Sequence, residues 1–212
     1  MKTDDLITAL AADAQSVSMP IGRALALAVA GGAVGAAILF AIMLGMRPDV
    51  ATAVTSLRFL FKFVVTLSLL ASALGLVWNL ARPGAIPVGW LLALAGVPAL
   101  LAIGSVAEML TVPPADWGQR LTGHNSFMCL ILIPTLSAIP FAALLLTLRQ
   151  GAPSHPMLTG AVAGLVAAGI GATLYASHCP DDSPFFVATW YVIASAFMAM
   201  LGAAIGEHFL RW

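Results

Sequence analysis

"MLTGAVAGLVAAGIGATLYAS", residues 157–177, decides the fold. It is an unbroken apolar run with no charged residue. A helix needs about 20 such residues to cross the hydrocarbon layer. Breakers bound it on both sides, "RQGAPSHP" before and "HCPDDSP" after. Five further stretches read the same way: 24–46, 59–80, 88–110, 125–148 and 184–206. The chain is 61% hydrophobic and 8% charged. A water-soluble surface needs about a quarter of the residues charged. The expectation is an all-α integral membrane protein, a six-helix bundle whose surroundings are the lipid bilayer. The gaps between spans are too short for a soluble domain. The chain therefore divides into an N-terminal segment, 1–22, and a transmembrane domain, 23–212.

Formal net charge is zero and no basic tract appears. That argues against direct nucleic-acid contact and against electrostatic anchoring to anionic lipid. The first apolar run is too long for a cleaved signal peptide, and three aspartates precede it. Six crossings put both termini on one side. Lys2, Arg23, Arg82, Arg149 and Arg211 share that side, against Arg47, Arg58, Lys62 and Arg120 on the other. Lys62 falls inside a span and counts for little, so the bias favours cytoplasmic termini. No nucleophile–base pair and no metal-ligand spacing occurs within a span, so neither an enzyme nor a cofactor is expected.

Small-residue repeats at Gly31/Gly35, Gly160/Gly164 and Gly202/Gly206 predict close helix packing within the bundle. Pro98, Pro134 and Pro140 fall within spans and predict kinks. Arg58 and Lys62 share a face of the second span, and Glu108 ends the third. A buried pair between Glu108 and Lys62 or Arg58 would lower the cost of each charge. A small transporter or channel is the alternative function. It would need a polar path, and the mid-span polar groups are few: Thr66, Ser68, Ser72, Ser137 and Ser195.

The N-terminal segment has a different pattern. Thr3 can cap a helix with Asp4 and Asp5 in its first turn. Leu6, Leu10, Ala14 and Val17 fall on one face, with Ile7 beside them and Asp13 and Gln15 away from it. Pro20 and Gly22 predict a break after it. Surface-bound membrane helices carry basic polar faces. This face is acidic, which fits anionic lipid poorly, so a groove in a protein partner competes with the bilayer surface as its seat.

The chain has two cysteines, Cys129 near the start of the fourth span and Cys179 just after the fifth. Helix counting puts both on the same side of the membrane. Three readings stay open: a redox pair, a permanent disulfide or unrelated packed thiols, and a soft-metal site. His124, His178, Asp181 and Asp182 map to the same side and are the further candidates for a metal ion. Asp182-Ser183-Pro184 reads as the cap that starts the sixth span. Asp181 and Asp182 should disfavour a Cys179 thiolate through like charge, and a protonated His178 would oppose them.

The opening "MKTDDLITALAADA", the six spans, Cys129, and "HCPDDSPFFVATWY" before a C-terminal "LRW" together resemble the NrsF-type negative regulators of sigma-F. These are membrane anti-sigma factors of proteobacteria. The resemblance covers the whole chain. It implies a location in the bacterial inner membrane, with both termini cytoplasmic. It implies that Asp4, Asp5, Leu6, Leu10 and Asp13 hold an extracytoplasmic-function sigma factor. It also implies that Cys129 and Cys179 sense oxidative or heavy-metal stress from the periplasmic side; His178, Asp181 and Asp182, close to Cys179 in the sequence, are the accessory candidates.

Overall fold

The computed structural model describes Thr3, Asp5, Ile7 and residues 19–82 and 87–211. Six helices are long and apolar enough to cross a membrane. They are α1 (Ile21–Met43), α2 (Leu57–Leu80), α3 (Val88–Thr111), α4 (Ser126–Leu148), α5 (Pro156–Ala176) and α6 (Pro184–Phe209). Every end lies within three residues of its expected position. Among the described residues there is no strand.

The helix starts follow the prolines. Pro20 precedes α1, and Pro156 and Pro184 occupy the first turns of α5 and α6. Proline suits that turn because its missing N–H would have no helical partner there. Gly22 does not break the chain as expected. It lies inside α1, where a Cβ would crowd Arg82 and Trp78. At the far end Gly45, with φ +71, lets the α1 backbone turn away while its amide still bonds to Phe40 O. The α3–α4 connection is not plain loop. It holds a short helix, Trp117–Thr122, pinned by Trp117 Nε1 donating to Val112 O at 3.1 Å.

α5 is the central helix and the most enclosed. It packs on α6, α4 and α2, while α1 leans on α4 and α3 on α2. Small residues permit this. A Cβ on Gly160 would strike Gly202 O, and one on Gly164 would strike Met198 O. The two backbones are therefore in direct contact, and both repeats act within the bundle. The first repeat is only half used. Gly32 and Gly35 face Pro140 and Ile139 of α4, while nothing approaches Gly31. Pro98, Pro134 and Pro140 lie inside helices that continue through them.

Two of the mid-span hydroxyls, Ser72 and Ser137, bond back to their own helices. Ser72 Oγ donates to Ser68 O at 2.7 Å and Ser137 Oγ to Ile133 O at 2.7 Å. Such back-bonding satisfies a hydroxyl without a polar path through the bundle.

Candidate functional site

The site lies at the end of the bundle where the α1–α2, α3–α4 and α5–α6 connections meet. Its centre is the pair of cysteines. Cys129 sits in the first turns of α4, and Cys179 follows the last turn of α5, its amide bonded to Tyr175 O at 3.0 Å. Both are free thiols with no exposed surface. The two side chains contact each other, and the Tyr175 hydroxyl interacts with both. Tyr175, Phe186 and Tyr191 enclose them, with ring centroids 6.1 to 6.4 Å apart.

Around this pair the three connections are tied by charge. Lys62 is wholly buried in α2, and its ammonium donates to Asp182 Oδ1 at 2.6 Å and to Cys179 O at 2.8 Å. Arg47, from the α1–α2 connection, reaches the other Asp182 oxygen at 2.9 Å and grips Asp49 with two bonds of 2.7 Å. The Arg47 guanidinium is held above its ordinary range, chiefly by Asp49 and then by Asp182. The Asp49 carboxyl is held below its ordinary range by the same bond. Asp181 turns the other way. Its carboxylate accepts the amide of Asn125 at 2.9 Å, the Asn125 side chain at 3.0 Å and the amide of His124 at 3.1 Å. Gly123 makes this approach possible, since a Cβ there would strike Phe186 and Asp181.

A second buried carboxylate lies close by. Glu108 accepts Arg58 Nε at 2.8 Å, Arg120 Nη1 at 2.9 Å and Ser183 Oγ at 3.3 Å. The expected Glu108–Arg58 pair is therefore present. Lys62 belongs to Asp182 instead.

The capping stretch starts α6 as expected, with Ser183 at the N-cap position and Pro184 in the first turn, although no side chain makes a cap bond, and Asp182 is the counter-ion of Lys62 and Arg47. The Asp181 charge disfavours a Cys179 thiolate, as expected, but is outweighed. The thiol is held below the ordinary range, first by its bond with Cys129, with the Lys62 charge and the Asp181 amide in support. Burial and the Asp181 charge oppose this and do not prevail. His178 takes no part, since its Nδ1 lies 3.0 Å from Gly45 O.

The two-thiolate, two-imidazole metal site is not assembled. His178 faces Gly45, and His124 lies 3.6 Å from Asp181 and is mostly exposed. Among the described residues no three metal-ligating side chains converge. At the other end of the chain Asp5 is helical and exposed, while Asp4, Leu6, Leu10 and Asp13 lie outside the described residues. Sequence reading missed Arg47 and Tyr175 as members of the site. Lys62 carried a signal, a charge inside a span, but its partner was hidden in what reads as a capping motif.

The family model for "Negative regulator of sigma F" (NrsF) matches residues 10–212. The chain belongs to the NrsF family. Two full-length relatives support this. One from Azospira oryzae, called "Probable anti-sigma-F factor NrsF", is 35% identical over 100% of both chains. The "Anti-sigma-F factor NrsF" of Caulobacter vibrioides is also 35% identical over 100% of both chains. No solved structure matches. The matched span includes all of the thiol end described above.

Proposed function

We propose that the chain is an inner-membrane anti-sigma factor with both termini in the cytoplasm. It holds an extracytoplasmic-function sigma factor through Asp4, Asp5, Leu6, Leu10 and Asp13. A change at Cys129 and Cys179, on the periplasmic side, releases it. The family membership and the relatives' names support the anti-sigma role. The orientation is supported by charge. At the thiol end Arg47, Arg58, Lys62 and Arg120 are each paired with a carboxylate, whereas at the opposite end Arg149 lies over the Phe209 ring at 4.8 Å, and the four arginines there, Arg23, Arg82, Arg149 and Arg211, fit a cytoplasmic headgroup surface.

The observation that carries the sensing role is the contact of two buried thiols inside the network that ties three connections together. Oxidation by hydrogen peroxide balances simply. The two thiols give up two protons and two electrons, a sulfur–sulfur bond forms, and the peroxide leaves as two waters. The same step moves Cys179, whose carbonyl is the acceptor for Lys62. The Lys62–Asp182–Arg47 network must then rearrange, and α5 links that end to the other. Switching occupancy from 1:99 to 99:1 requires a bias of about 5.5 kcal/mol. A disulfide contributes about 2–4 kcal/mol, much of what is needed.

Co-purification of the sigma factor with the full chain tests the anti-sigma assignment. Binding is expected in the native chain and lost in Leu6→Asp or Leu10→Asp. Unchanged binding in both variants would remove the N-terminal segment from the account.

A further inference from the structure

Two clefts at the thiol end meet at Ser56 and Arg58, which line both. The first, of about 500 Å³, is polar, and Asp181, Asp182 and Ser183 of the α5–α6 connection form one wall. The second, of about 320 Å³, is an apolar groove between α2 and α3, lined by Leu57, Phe61, Gly104 and Ala107. Along α3 it extends from Thr111 to Gly104, about 10 Å of helix. Arg58 stands in the first turn of α2 and Glu108 in the last turn of α3. The junction of the clefts therefore lies at headgroup level, and the groove descends from it into hydrocarbon.

The charges in the polar cleft form two groups. Arg58 and Arg120 both bond Glu108, each through one nitrogen, Nε at 2.8 Å and Nη1 at 2.9 Å. Two guanidinium charges share one buried carboxylate, so one positive charge is left over. The two side chains are 42% and 36% exposed and line the cleft, where their other N–H groups can meet an anion. Asp116 is the N-cap residue of the short helix Trp117–Thr122 and makes no cap bond. It lies four residues before Arg120, so the two are neighbours about 5–6 Å apart on one face. Arg120 is engaged by Glu108, and among the described residues no cation pairs with Asp116. The cleft thus offers one unmatched positive and one unmatched negative charge, a helical turn apart.

We propose that the joined clefts bind one phospholipid whose head carries a phosphodiester and a primary ammonium, the chemistry of phosphatidylethanolamine. The phosphate meets Arg58 and Arg120, the ammonium meets Asp116, and an acyl chain lies in the α2–α3 groove. A purely anionic head fits less well, because Asp116, Asp181 and Asp182 also line the cleft. A quaternary ammonium fits less well too, since it has no N–H to donate and no Phe, Tyr or Trp ring lines the polar part. The apolar groove selects a lipid over a free head group. The bound head lies against Asp181–Ser183, the segment that follows Cys179 and holds the counter-ion of Lys62. The site touches the thiol network without including the thiols.

The test is native mass spectrometry of the full chain, released from micelles that hold equal amounts of phosphatidylethanolamine, phosphatidylglycerol and phosphatidylcholine with identical acyl chains. Retention of one phosphatidylethanolamine per chain, about fivefold over each of the others, is expected. That ratio corresponds to one exposed ion pair. Asp116→Asn keeps the phosphate contacts and should erase the preference over phosphatidylglycerol. Ala107→Trp, which fills the groove, should lower retention of all three lipids. Glycerophosphoethanolamine, the head without chains, should not displace the lipid at equal concentration. Equal retention of the three lipids overturns the proposal, as does a preference for either of the other two. Unchanged preference in Asp116→Asn, unchanged retention in Ala107→Trp, or displacement by the chain-free head also overturns it. Should Ala107→Trp fail to fold, Asp116→Asn, at an exposed position, decides. None of these readings passes through the sigma factor or the cysteines.

Discussion

Lys62 shows how one residue organises the thiol end. A fully buried ammonium is tolerated only when its charge and its protons are all met. Asp182 and the Cys179 carbonyl meet them. The two partners are not equivalent. Removing Lys62 leaves Asp182 with Arg47, whereas removing the Asp182 charge strands Lys62 in the interior. Asp182→Asn should therefore destabilise the chain by about 3–5 kcal/mol, and Lys62→Met by clearly less, as read from thermal unfolding in detergent. The same ammonium favours the Cys179 thiolate. Ultraviolet thiolate absorbance, taken as the difference from Cys179→Ser, should titrate below the ordinary thiol range and move up in Lys62→Met. The sign for stability follows. The folded chain loses this proton first, so the thiol stabilises the fold above its ordinary value. That contribution disappears as pH falls through the folded value. The shared side of the two cysteines is legible in the sequence, because helix counting fixes it. Their contact is not, because it depends on Asp181 anchoring the connection to Asn125 and on Lys62 drawing it inward. The helix start at Ser183-Pro184 is legible, but the pairing of Asp182 with Lys62 and Arg47 is long-range and is not.

At the scale of the helix, the apolar runs fix the spans and prolines mark four of the six starts, so the element ends are readable to within a few residues. Packing faces are less so. The Gly160/Gly164 and Gly202/Gly206 repeats meet each other as backbone surfaces, but the Gly31/Gly35 pattern names the wrong member, since Gly32 rather than Gly31 touches α4. Spacing alone does not say which side of a helix a neighbour occupies. The consequence is a contrast between two substitutions. Gly160→Val places a side chain against the Gly202 carbonyl and should cost about 3 kcal/mol or more, seen as loss of folded, monodisperse protein. Gly31→Ala meets open space and should leave the yield unchanged. The π turn in α6, Val187–Tyr191, has no signature in the sequence, because "VATWY" is as compatible with an ordinary helix.

For the whole molecule, composition alone identifies a membrane bundle, and the end motifs point to the family. The centrality of α5 was only hinted at, by its glycines and alanines. That position makes α5 the connection between the thiol end and the end from which the N-terminal segment departs. The central claim is that chemistry at the paired thiols releases the sigma factor. The most direct measurement is a sigma-dependent reporter in cells carrying the native chain or Cys179→Ser, with and without oxidant, at equal membrane levels of the two proteins. The account predicts induction with the native chain and none with Cys179→Ser. Normal induction by oxidant in the Cys179→Ser strain would contradict it.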